Sequence, residues 1–321
     1  MIAVLETDAA LEAIAPEWEA LWRRTPGATP FQSPSWLLPW WRQFGTGMAR
    51  VGVWRRGGAL EGVLPLYVLE EDGARKLLPI GAGTTDYLDA LGDPAPLLAP
   101  VLERARQDGI THCDLFDVPP GSALLDLPAP PGWRAEWAGG NPCPVLVFPD
   151  IPARIRRKLR MSRHRADRMG GWAAEAAGPE TVQAMLAELI RLHQARWTAQ
   201  GETGTLASDP VLAFHRQAAP GLLAAGRLRL QVLRVAGEVV AAILALLAPG
   251  RIFFYLSGFD ERHAFVSPGT LLLGSMLEEA MAEGRAEAHF LRGREAYKYA
   301  WGGVDRLNMT CRLTPAVSAG T

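Results

Sequence analysis

Two amphipathic helices are predicted within the first 45 residues. Apolar side chains recur every three or four positions over residues 8–24, which is the period of a helix with one buried face. Within residues 31–45, Ser33 is a candidate N-cap and Pro34 a candidate first helical residue. The tryptophans of this second segment fall on one side of the helix, so we interpret that side as a core face.

The hydrophobic period changes to that of β-structure at Val51. Two strands are predicted around a tight turn at Gly57 and Gly58, and residues 112–118 predict a further, partly buried strand. The segments around the last of these strands are rich in proline and are interpreted as loops. A boundary near residues 142–152 gives two predicted domains, 1–150 and 151–321.

The second half of the chain follows the order of the first. A basic helical run at residues 154–168 and a long amphipathic helix over residues 179–200 precede two strands at 229–247, with a turn at Gly237. Residues 229–247 align with residues 50–68 at a constant offset of 179. Because any two hairpins can match this well, an internal repeat is indicated without being established.

Length and composition narrow the class of protein. At 321 residues the chain exceeds the usual size of one hydrophobic core, and its 49% of hydrophobic residues is enough to build ordered domains. The 33 Lys and Arg nearly balance the 34 Asp and Glu, so the net charge of −1 creates no global field that would gather DNA or anionic lipid. Affinity for a phosphorylated partner must therefore come from a local cluster of charge.

Cysteine spacing and hydropathy bear on cofactors and location. Cys113, Cys143 and Cys311 have neither the number of a disulfide framework nor the spacing of zinc ligands, so no metal is expected. The first residues lack the basic and apolar regions of a signal peptide, and the longest apolar stretch, 239–249, is too short to span a bilayer. A reducing, cytoplasmic location without a membrane span is therefore the expectation.

A candidate anion site lies where the last long helix is predicted to begin, after an aromatic strand. The residues at this point are Ser267, Pro268, Gly269, Thr270 and Leu271. The free N–H groups of the last three are expected to point outward, where they and the helix dipole suit a pyrophosphate. An ordinary helix start, capped by serine, is the alternative. No GxGxxG or GxxxxGKS motif favours a dinucleotide site or a P-loop.

The second concentration of chemistry is the terminal block 290–303. Its polar residues are Arg292, Arg294, Glu295, Tyr297, Lys298 and Tyr299. A cation here can neutralise charge on a thioester carbonyl, and a tyrosine can donate a proton to a leaving thiolate. Arg294 and Glu295 are candidate substrate ligands. A connection with a solvated basic face is the alternative interpretation.

Two further segments each join an aromatic residue to polar groups. Asp86 and Tyr87 lie in a predicted loop, and His193, Arg196 and Trp197 lie on the long predicted helix. Asp86 or His193 can bind or deprotonate an acceptor, although a lone histidine on an amphipathic helix is more often structural. A hydrolase is disfavoured because there is no GxSxG elbow with an ordered Ser, Asp and His.

The basic run 154–168 contains eight Arg or Lys residues and one His. Few aromatic residues are interleaved with them, and the chain as a whole is not basic, so nucleic-acid binding is not favoured. The run is interpreted either as a solvated helix face or as a groove for a phosphate-bearing substrate.

Several motifs occur in one order from about residue 18 to residue 303. They are FQSPSWLLPWW, a hairpin ending in GVLPLYV, the DYLD loop, RKLRMSRHR, HQARW, FYLSGFD followed by SPGTLLL, and FLRGREAYKYAW. Together they resemble the BioF2-like or CelD-like acetyltransferases, which are relatives of the Fem aminoacyl ligases. The ordered set is far more specific than any single motif.

The resemblance implies an α/β (α+β) fold of tandem GNAT-like, acyl-CoA N-acyltransferase domains. Each domain would have a mixed, mainly antiparallel sheet flanked by helices, with the active cleft in or beside the second. In GNAT enzymes the donor pyrophosphate binds at the helix start after the fourth strand, and the resemblance places that site at the segment from Ser267 to Thr270. A lysine that follows an aromatic residue assists transfer in the Fem-like relatives, and by motif it corresponds to Lys298 after Tyr297.

The expected activity is acyl transfer from acetyl-CoA or another acyl-CoA to an amine or hydroxyl. The usual GNAT pyrophosphate loop has more glycines than VSPGT, which has one. Besides a small-molecule donor such as acyl-CoA, a carrier-bound donor, either acyl carrier protein or aminoacyl-tRNA, therefore stays an alternative. Two other functions stay open: a Fem-like aminoacyl-tRNA-dependent ligase, and a non-catalytic GNAT-like module in polysaccharide biosynthesis. The sequence does not identify the acceptor or the oligomeric state.

Overall fold

The computed structural model describes residues 1–199, 201 and 204–316, which form two compact units. Unit 1 consists of Met1–Asn141 with the residues from Leu307 onward, and unit 2 of Pro142–Arg306. The predicted domains, 1–150 and 151–321, stay a prediction, because this grouping shows which residues pack together and not which segments fold independently.

The elements of unit 1 begin with a strand and three helices, followed by a run of strands with one helix. In chain order they are β1 (Ile2–Leu5), α1 (Asp8–Ala13), α2 (Ala15–Arg24), α3 (Pro34–Phe44), β2 (Met48–Arg56), β3 (Ala59–Glu71), β4 (Ala74–Pro79), β5 (Leu91–Gly92), α4 (Leu98–Gln107) and β6 (His112–Val118). The next strand, β7 (Trp133–Val147), begins in unit 1 and ends in unit 2.

The elements of unit 2 follow the same order, from a helix and strand to a meander, a helix and a further strand. They are α5 (Ala153–Arg168), β8 (Trp172–Ala176), α6 (Val182–Ala199), α7 (Asp209–Ala224), β9 (Leu228–Val235), β10 (Glu238–Ala248), β11 (Arg251–Phe259), α8 (Pro268–Ala282), β12 (Glu287–His289) and α9 (Ala296–Ala300). The last strand, β13 (Val304–Pro315), returns the chain to unit 1.

Both units have mixed, mainly antiparallel sheets. In unit 1, β1, β2, β3 and β4 pair antiparallel in that order, β6 lies parallel to β4, and β13 lies antiparallel to β6. In unit 2, β8, β9, β10 and β11 pair antiparallel, β12 lies parallel to β11, and β7 lies antiparallel to β12. Each parallel pair is joined through a helix, as a parallel connection requires.

The two central hairpins confirm the alignment at an offset of 179. Val53 pairs with Val63 and, 179 residues later, Val232 pairs with Ala242. Both hairpins contain a bulge at the corresponding place: the extra residue is Glu61, opposite Trp54 and Arg55, in the first, and Val240, opposite Leu233 and Arg234, in the second. A shared irregularity of this kind does not follow from hairpin formation alone, so the sequence match reflects a structural repeat.

Most elements that the hydrophobic pattern predicts are present. Helix α3 begins at Pro34 after Ser33, and β6 covers the predicted range 112–118. The predicted helix over residues 8–24 was wrong in one respect, because α1 ends before Ile14 and α2 starts anew with Pro16 in its first turn. Proline has no N–H to continue the hydrogen bonds of a preceding helix. The apolar spacing therefore continues across residues 13–16, although the helical hydrogen bonds are interrupted there.

Each unit has its own apolar core between helices and sheet. In unit 2, α8 is buried along Leu271, Leu272, Met276 and Leu277, which join residues of β10 and β11 in one cluster. The predicted α/β fold with sheets flanked by helices is confirmed. In the described part of the chain, no helix is both long enough and apolar enough to cross a membrane.

Candidate active site

The cavity of unit 2 lies where strands β11 and β12 separate. The two strands are paired only from Arg251 to Phe253, opposite Glu287 to His289. Beyond this point β11 continues for six residues to Phe259, whereas β12 has ended. One extra residue in β11, between the positions paired with Leu244 and Ala245, bends the strand here. The sheet is therefore open on one side of β11.

This opening encloses a cavity of about 370 Å³. Its lining residues come from β10, β11, the start of α8 and the terminal block, with one contribution each from α5 and α6: Lys158, Arg196, Ile243, Phe254, Tyr255, Leu256, Ser257, Gly258, Phe259, Ala264, Ser267, Pro268, Gly269, Thr270, Leu273, Phe290, Tyr297 and Trp301. The volume lies in the range of small-molecule sites, and the lining is mostly apolar with a few polar groups, as such sites usually are.

The start of helix α8 forms one end of the cavity. Ser267 has left-handed backbone angles, with φ of 51°, and Pro268 is the first helical residue. Gly269 and Thr270 follow as the second and third residues, whose N–H groups have no carbonyl one turn earlier in the helix. The positive end of the helix dipole adds to them, so this end of the cavity suits an anion.

Leu271 does not belong to this group of free donors. Its N–H donates to the Ser267 carbonyl oxygen at 3.0 Å, and its side chain is fully buried in the core. The expectation that its N–H points outward was wrong, because it is the first residue with a helical carbonyl within reach. Ser267 makes no side-chain cap, so the serine-capped helix start considered as the alternative is not observed either.

Lys158 adds a positive side chain at the same cavity. It lies on the exposed part of α5, one position before the buried Leu159, and lines the cavity beside the α8 start. An ammonium group on a flexible stem near free N–H groups is a common arrangement for binding phosphate. The sequence placed this residue within the basic run 154–168 but did not single it out.

Of the polar residues predicted in the terminal block, Tyr297 lines the cavity. Its ring contacts Phe290 edge to face, with centroids 6.3 Å apart, and Phe290 in turn stacks on Phe254 at 5.8 Å. Although 44% of the tyrosine is exposed, burial of its ring, together with the charge of Glu295, raises the phenol pKa to about 12. The hydroxyl therefore stays protonated at neutral pH and can act as a donor.

Lys298 points away from the cavity into the loop before α9. Only 2% of it is exposed, and its Nζ donates to the carbonyl oxygens of Leu291 at 3.2 Å and Arg292 at 2.5 Å. The Glu295 carboxylate lies 2.9 Å from the same nitrogen. Leu291 has a left-handed φ of 61°, which is unfavourable for a branched side chain. The ammonium group thus holds a strained loop in place.

The other polar residues of the terminal block lie on its outer surface. The Tyr299 hydroxyl donates to the Asp305 carboxylate at 2.7 Å, and the Arg294 guanidinium lies 3.7 Å from the same carboxylate. Glu295 is the N-cap residue of α9 and binds Lys298. None of these three residues lines the cavity.

Of the three candidates on α6, Arg196 lines the cavity. Its guanidinium carbon lies 4.7 Å from the ring centre of Phe259, and its Nε is buried with no partner among the described residues. Trp197 donates from Nε1 to His193 Nε2 at 2.9 Å. Burial, and secondly the charge of Arg196, lowers the His193 pKa to about 4, so the ring is neutral at pH 7.

Asp86 and Tyr87 lie in unit 1 and are largely buried there. The Asp86 carbonyl oxygen accepts from Asn308 Nδ2 at 2.9 Å, and the Tyr87 carbonyl oxygen accepts from Gln32 Nε2 at 2.9 Å. The Tyr87 ring packs against Phe31. In unit 1 these residues tie the 80–90 loop to the core, and their proposed acceptor role stays a prediction.

Other cavity residues were not identified from the sequence. Tyr255 lies at the bulge of β11, with its ring 5.6 Å from that of His215, whose pKa burial lowers to about 3. Ser257 and Gly258 follow on the same strand, and a side chain at Gly258 would come within 2.5 Å of the His193 backbone nitrogen. The aromatic strand itself was the available signal, but a single sequence does not show where it leaves its neighbour. No cluster of metal-ligating side chains occurs in the described ranges.

Comparison with known proteins gives the same fold. Residues 153–299 match the family model described as Acetyltransferase (GNAT) domain. FemX is 13% identical with a TM-score of 0.66, over 92% of this chain and 95% of FemX. L-PGS from Bacillus licheniformis is 15% identical with a TM-score of 0.59, over 92% of this chain and 90% of that one. A conserved protein from Bacteroides thetaiotaomicron is 14% identical with a TM-score of 0.65, over 97% of this chain and 100% of that one.

A search of curated protein sequences finds no match to the chain. The chain has a GNAT-superfamily, Fem-related fold, and the matched domain contains the cavity residues from Lys158 to Tyr297. The comparisons support acyl transfer in general terms.

Proposed function

We propose that unit 2 transfers an acyl group from an acyl-CoA, such as acetyl-CoA, to an amine or hydroxyl. One observation carries the proposal: a cavity of about 370 Å³ combines an anion-binding helix start with an apolar interior and a protonated tyrosine. The assignment to the BioF2-like or CelD-like subgroup and a cytoplasmic location are parts of the same proposal.

The donor pyrophosphate would bind at the start of α8. The N–H groups of Gly269 and Thr270 and the ammonium of Lys158 supply the positive end of the site, and Ser267 and Pro268 shape the turn before it. The pantetheine arm would then extend along the open edge of β11, where backbone N–H groups and Ser257 can bind its polar atoms. Phe254, Leu256 and Phe290 provide an apolar surface for the acyl group and exclude water.

Transfer would proceed by direct attack of the acceptor on the thioester carbonyl. The new bond to nitrogen or oxygen forms, the carbon–sulfur bond breaks, and the thiolate leaves with the proton that the acceptor loses. Tyr297 donates a hydrogen bond to the departing sulfur. Because its pKa of about 12 lies above that of an ordinary thiol, about 8.5, it stabilises the thiolate better by hydrogen bonding than by giving up its proton.

Lys298 takes a positioning role in this proposal. Its ammonium is bound by the carbonyl oxygens of Leu291 and Arg292, which fixes the segment that carries Tyr297 into the cavity. Stabilisation of charge on the donor then falls to Lys158 and the α8 start. Tyr299, the other candidate acid, is replaced in this role by Tyr297, since its hydroxyl binds Asp305 on the surface.

The acceptor side would be formed by Arg196 and its neighbours. Arg196 lines the cavity with its guanidinium packed on the Phe259 ring, so the guanidinium can bind an anionic or carbonyl group of the acceptor. His193 and Trp197 support Arg196 from α6. The imidazole of His193 is neutral, and its Nε2 accepts from Trp197 Nε1 at 2.9 Å, so His193 supports α6 rather than serving as a base. Arg294 and Glu295 do not line the cavity, and their role as acceptor ligands, like that of Asp86 and Tyr87 in unit 1, stays a prediction.

The first test is calorimetric titration of the purified protein with acetyl-CoA and octanoyl-CoA. Gly269→Trp places an indole ring at the proposed phosphate site, where even a Cβ would lie 3.1 Å from the Phe259 ring. Saturable binding that this variant loses supports the proposal. Lys158→Glu is the milder variant, because the side chain is exposed and the fold does not depend on it, and it should weaken both donors by about tenfold. If neither donor binds the wild-type protein, the acyl-CoA proposal is wrong.

A further inference from the structure

Helix α5 carries the strongest concentration of unneutralised charge in the described part of the chain. Its 16 residues contain eight Arg or Lys and one acidic residue, Asp167. Four arginines lie on the side facing away from the buried Leu159: Arg154, Arg157, Arg160 and Arg168. We call these four residues the basic face. The chain as a whole has a net charge of −1, so this helix is a local exception.

No carboxylate neutralises the basic face in the part of the chain that the structure describes. None of its four guanidinium groups makes an ion pair or hydrogen bond to another described residue. On the same helix, Arg163 pairs with Glu278, and Arg165 donates to the Phe265 carbonyl oxygen at 2.9 Å. Exposed arginines elsewhere, such as Arg106 and Arg312, have a carboxylate partner within 2.9 Å. The four arginines of the basic face therefore differ from these paired arginines.

This arrangement is unfavourable for an isolated helix. Arg154 and Arg157 place positive charge in the first turns, where the helix dipole is already positive. Arg157 and Arg160 are like charges three residues apart, and such pairs destabilise a helix by about 0.2–0.5 kcal/mol. An anionic partner removes both penalties when it binds. The basic face is thus suited to a polyanionic surface rather than to water alone.

Exposed apolar side chains beside the basic face favour a protein partner over a nucleic acid. Met161 is 45% exposed and Met169 41%, both on or directly after α5, and Phe265 is 56% exposed under the guanidinium of Arg165. Methionine, aromatic residues and arginine are the residues that protein interfaces favour. A strand of nucleic acid would instead need a series of aromatic rings on which bases can stack.

The basic face is continuous with the cavity. Lys158 belongs to the same helix and lines the cavity beside the start of α8. Arg165 binds the Phe265 carbonyl in the turn that leads to Ser267. A protein that lay on the basic face would therefore reach the cavity mouth with a flexible arm attached to its surface.

We propose that the basic face docks an acidic carrier protein that presents the acyl group as a phosphopantetheine thioester. The inference rests on the proposed function, and it names the donor. The arm has the same pantetheine and thioester as acyl-CoA and one phosphodiester in place of the pyrophosphate, so the same cavity and helix start can hold it. After transfer the thiolate stays on the arm, takes up the proton lost by the acceptor, and leaves with the carrier.

The test compares two donors that differ in their carrier. Binding of octanoyl-acyl carrier protein and of octanoyl-CoA is measured for wild type and for the variant with Arg154→Glu, Arg157→Glu, Arg160→Glu and Arg168→Glu. Four reversed charges should weaken binding of the acylated carrier protein by about 30-fold or more, chiefly through slower association, and leave octanoyl-CoA within about twofold. None of these four side chains lines the cavity.

Two controls isolate the effect of the surface. Arg23→Glu, Arg106→Glu, Arg134→Glu and Arg191→Glu together make the same change of charge on exposed arginines elsewhere, and should leave both affinities unchanged. The set with Arg→Gln on the basic face keeps the test valid if the glutamates disturb the fold. This Arg→Gln set should show part of the loss of affinity for the acylated carrier protein.

The outcomes separate this inference from the proposed function. If Gly269→Trp abolishes binding of both donors but the basic-face variant binds the acylated carrier protein normally, the inference is wrong and the acyltransferase proposal stands. If Gly269→Trp changes neither affinity, the proposed donor site is wrong. Binding of bulk tRNA or of vesicles with phosphatidylglycerol that depends on the basic face, without binding of the carrier protein, would also overturn the inference.

Discussion

Units 1 and 2 have the same order of strands and helices around the central hairpin, but the cavities beside their sheets differ greatly in volume. At positions 179 residues apart, Leu64 and Ile243 line a cavity in their respective units. The cavity of unit 1 measures about 10 Å³ and that of unit 2 about 370 Å³. In unit 1 the buried side chains of Leu88 and Leu124 line this small cavity beside the ends of β4 and β6. The shared order of strands thus allows a ligand-sized cavity, and the side chains beside the sheet determine whether one is present.

The helix that follows the meander differs in the same way. In unit 1, α4 begins at Leu98 after Leu97, and both are buried, while its third residue, Pro100, has no N–H to offer a ligand. In unit 2, α8 starts at Pro268 and Gly269, which line the cavity. A helix dipole is present in both units, but it becomes useful for binding only where small residues leave its positive end open.

The largest expected effect on stability comes from truncating a side chain beside the small cavity of unit 1. Leu88→Ala removes a side chain that is 4% exposed and should lower the free energy of unfolding by about 2–5 kcal/mol. Leu273→Ala, which truncates a leucine beside the cavity of unit 2, should have a smaller effect, because the space is already open to water. Urea unfolding followed by circular dichroism measures both. Equal losses would show that the small cavity of unit 1 is no better packed than the cavity of unit 2.

The second prediction concerns the loop before α9, which Lys298 binds and which precedes the cavity residue Tyr297. Lys298→Met removes the ammonium bound to the carbonyls of Leu291 and Arg292, and should destabilise the protein by about 1–3 kcal/mol because buried acceptors lose their donor. Lys158→Met, on the exposed part of α5, is the matched control and should change stability by less than about 0.5 kcal/mol. A Lys298→Met protein of normal stability that transfers acyl groups slowly would instead assign Lys298 a direct role in chemistry.

A third prediction uses the carboxyl group beside the small cavity of unit 1. Burial raises the pKa of Asp89 to about 7, against the hydrogen bond from Ser122 Oγ at 2.6 Å. The folded state therefore binds this proton more tightly than the unfolded state. Its stabilising contribution is complete below about pH 3.8, decreases as the pH rises, and is lost above about pH 7.

Asp89→Asn should remove this dependence on pH. We expect wild type to lose about 1–2 kcal/mol relative to the variant between pH 5 and pH 8, measured by urea unfolding at each pH. Asp126→Asn changes the same charge elsewhere in unit 1 and serves as the control. If the difference between wild type and Asp89→Asn does not change with pH, the carboxyl is solvated and the small cavity of unit 1 is more open than the structure indicates.

The sequence predicted those parts of the fold in which local pattern and tertiary packing agree. The two hairpins, the start of α3 and strand β6 all combine a clear hydrophobic period with turn or cap residues. Strand β13 and helix α7 were not predicted, because the local sequence of each is atypical of its structure. Strand β13 exposes Val304 and Leu307 and buries Asn308, so its apolar residues do not follow the period of a half-buried strand. Helix α7 contains Pro220, which a helix interior rarely tolerates. In both cases packing against other elements outweighs the local signal.

The candidate site was predicted in part for a related reason. The segment from Ser267 to Thr270 has a local signal, since serine, proline and glycine at a helix start are readable from sequence. Lys298 had no signal for burial, because its partners are backbone carbonyls of the preceding loop. Lys158 and Arg196 line the cavity because of how α5 and α6 pack on the sheet. That arrangement is a property of the tertiary structure, which spacing along the chain does not encode.

The smallest expected effect tests whether the two hairpins are equivalent in energy as well as in register. Arg55 donates to the Gly58 carbonyl at 3.4 Å and pairs with Glu17, and Arg234 donates to the Gly237 carbonyl at 3.1 Å and pairs with Glu175. Arg55→Ala and Arg234→Ala should each cost less than about 1 kcal/mol, because these ion pairs are largely exposed. Urea unfolding of both variants, alone and combined, should give equal and additive losses. Unequal losses would mean that the turns share geometry while only one of them contributes to stability.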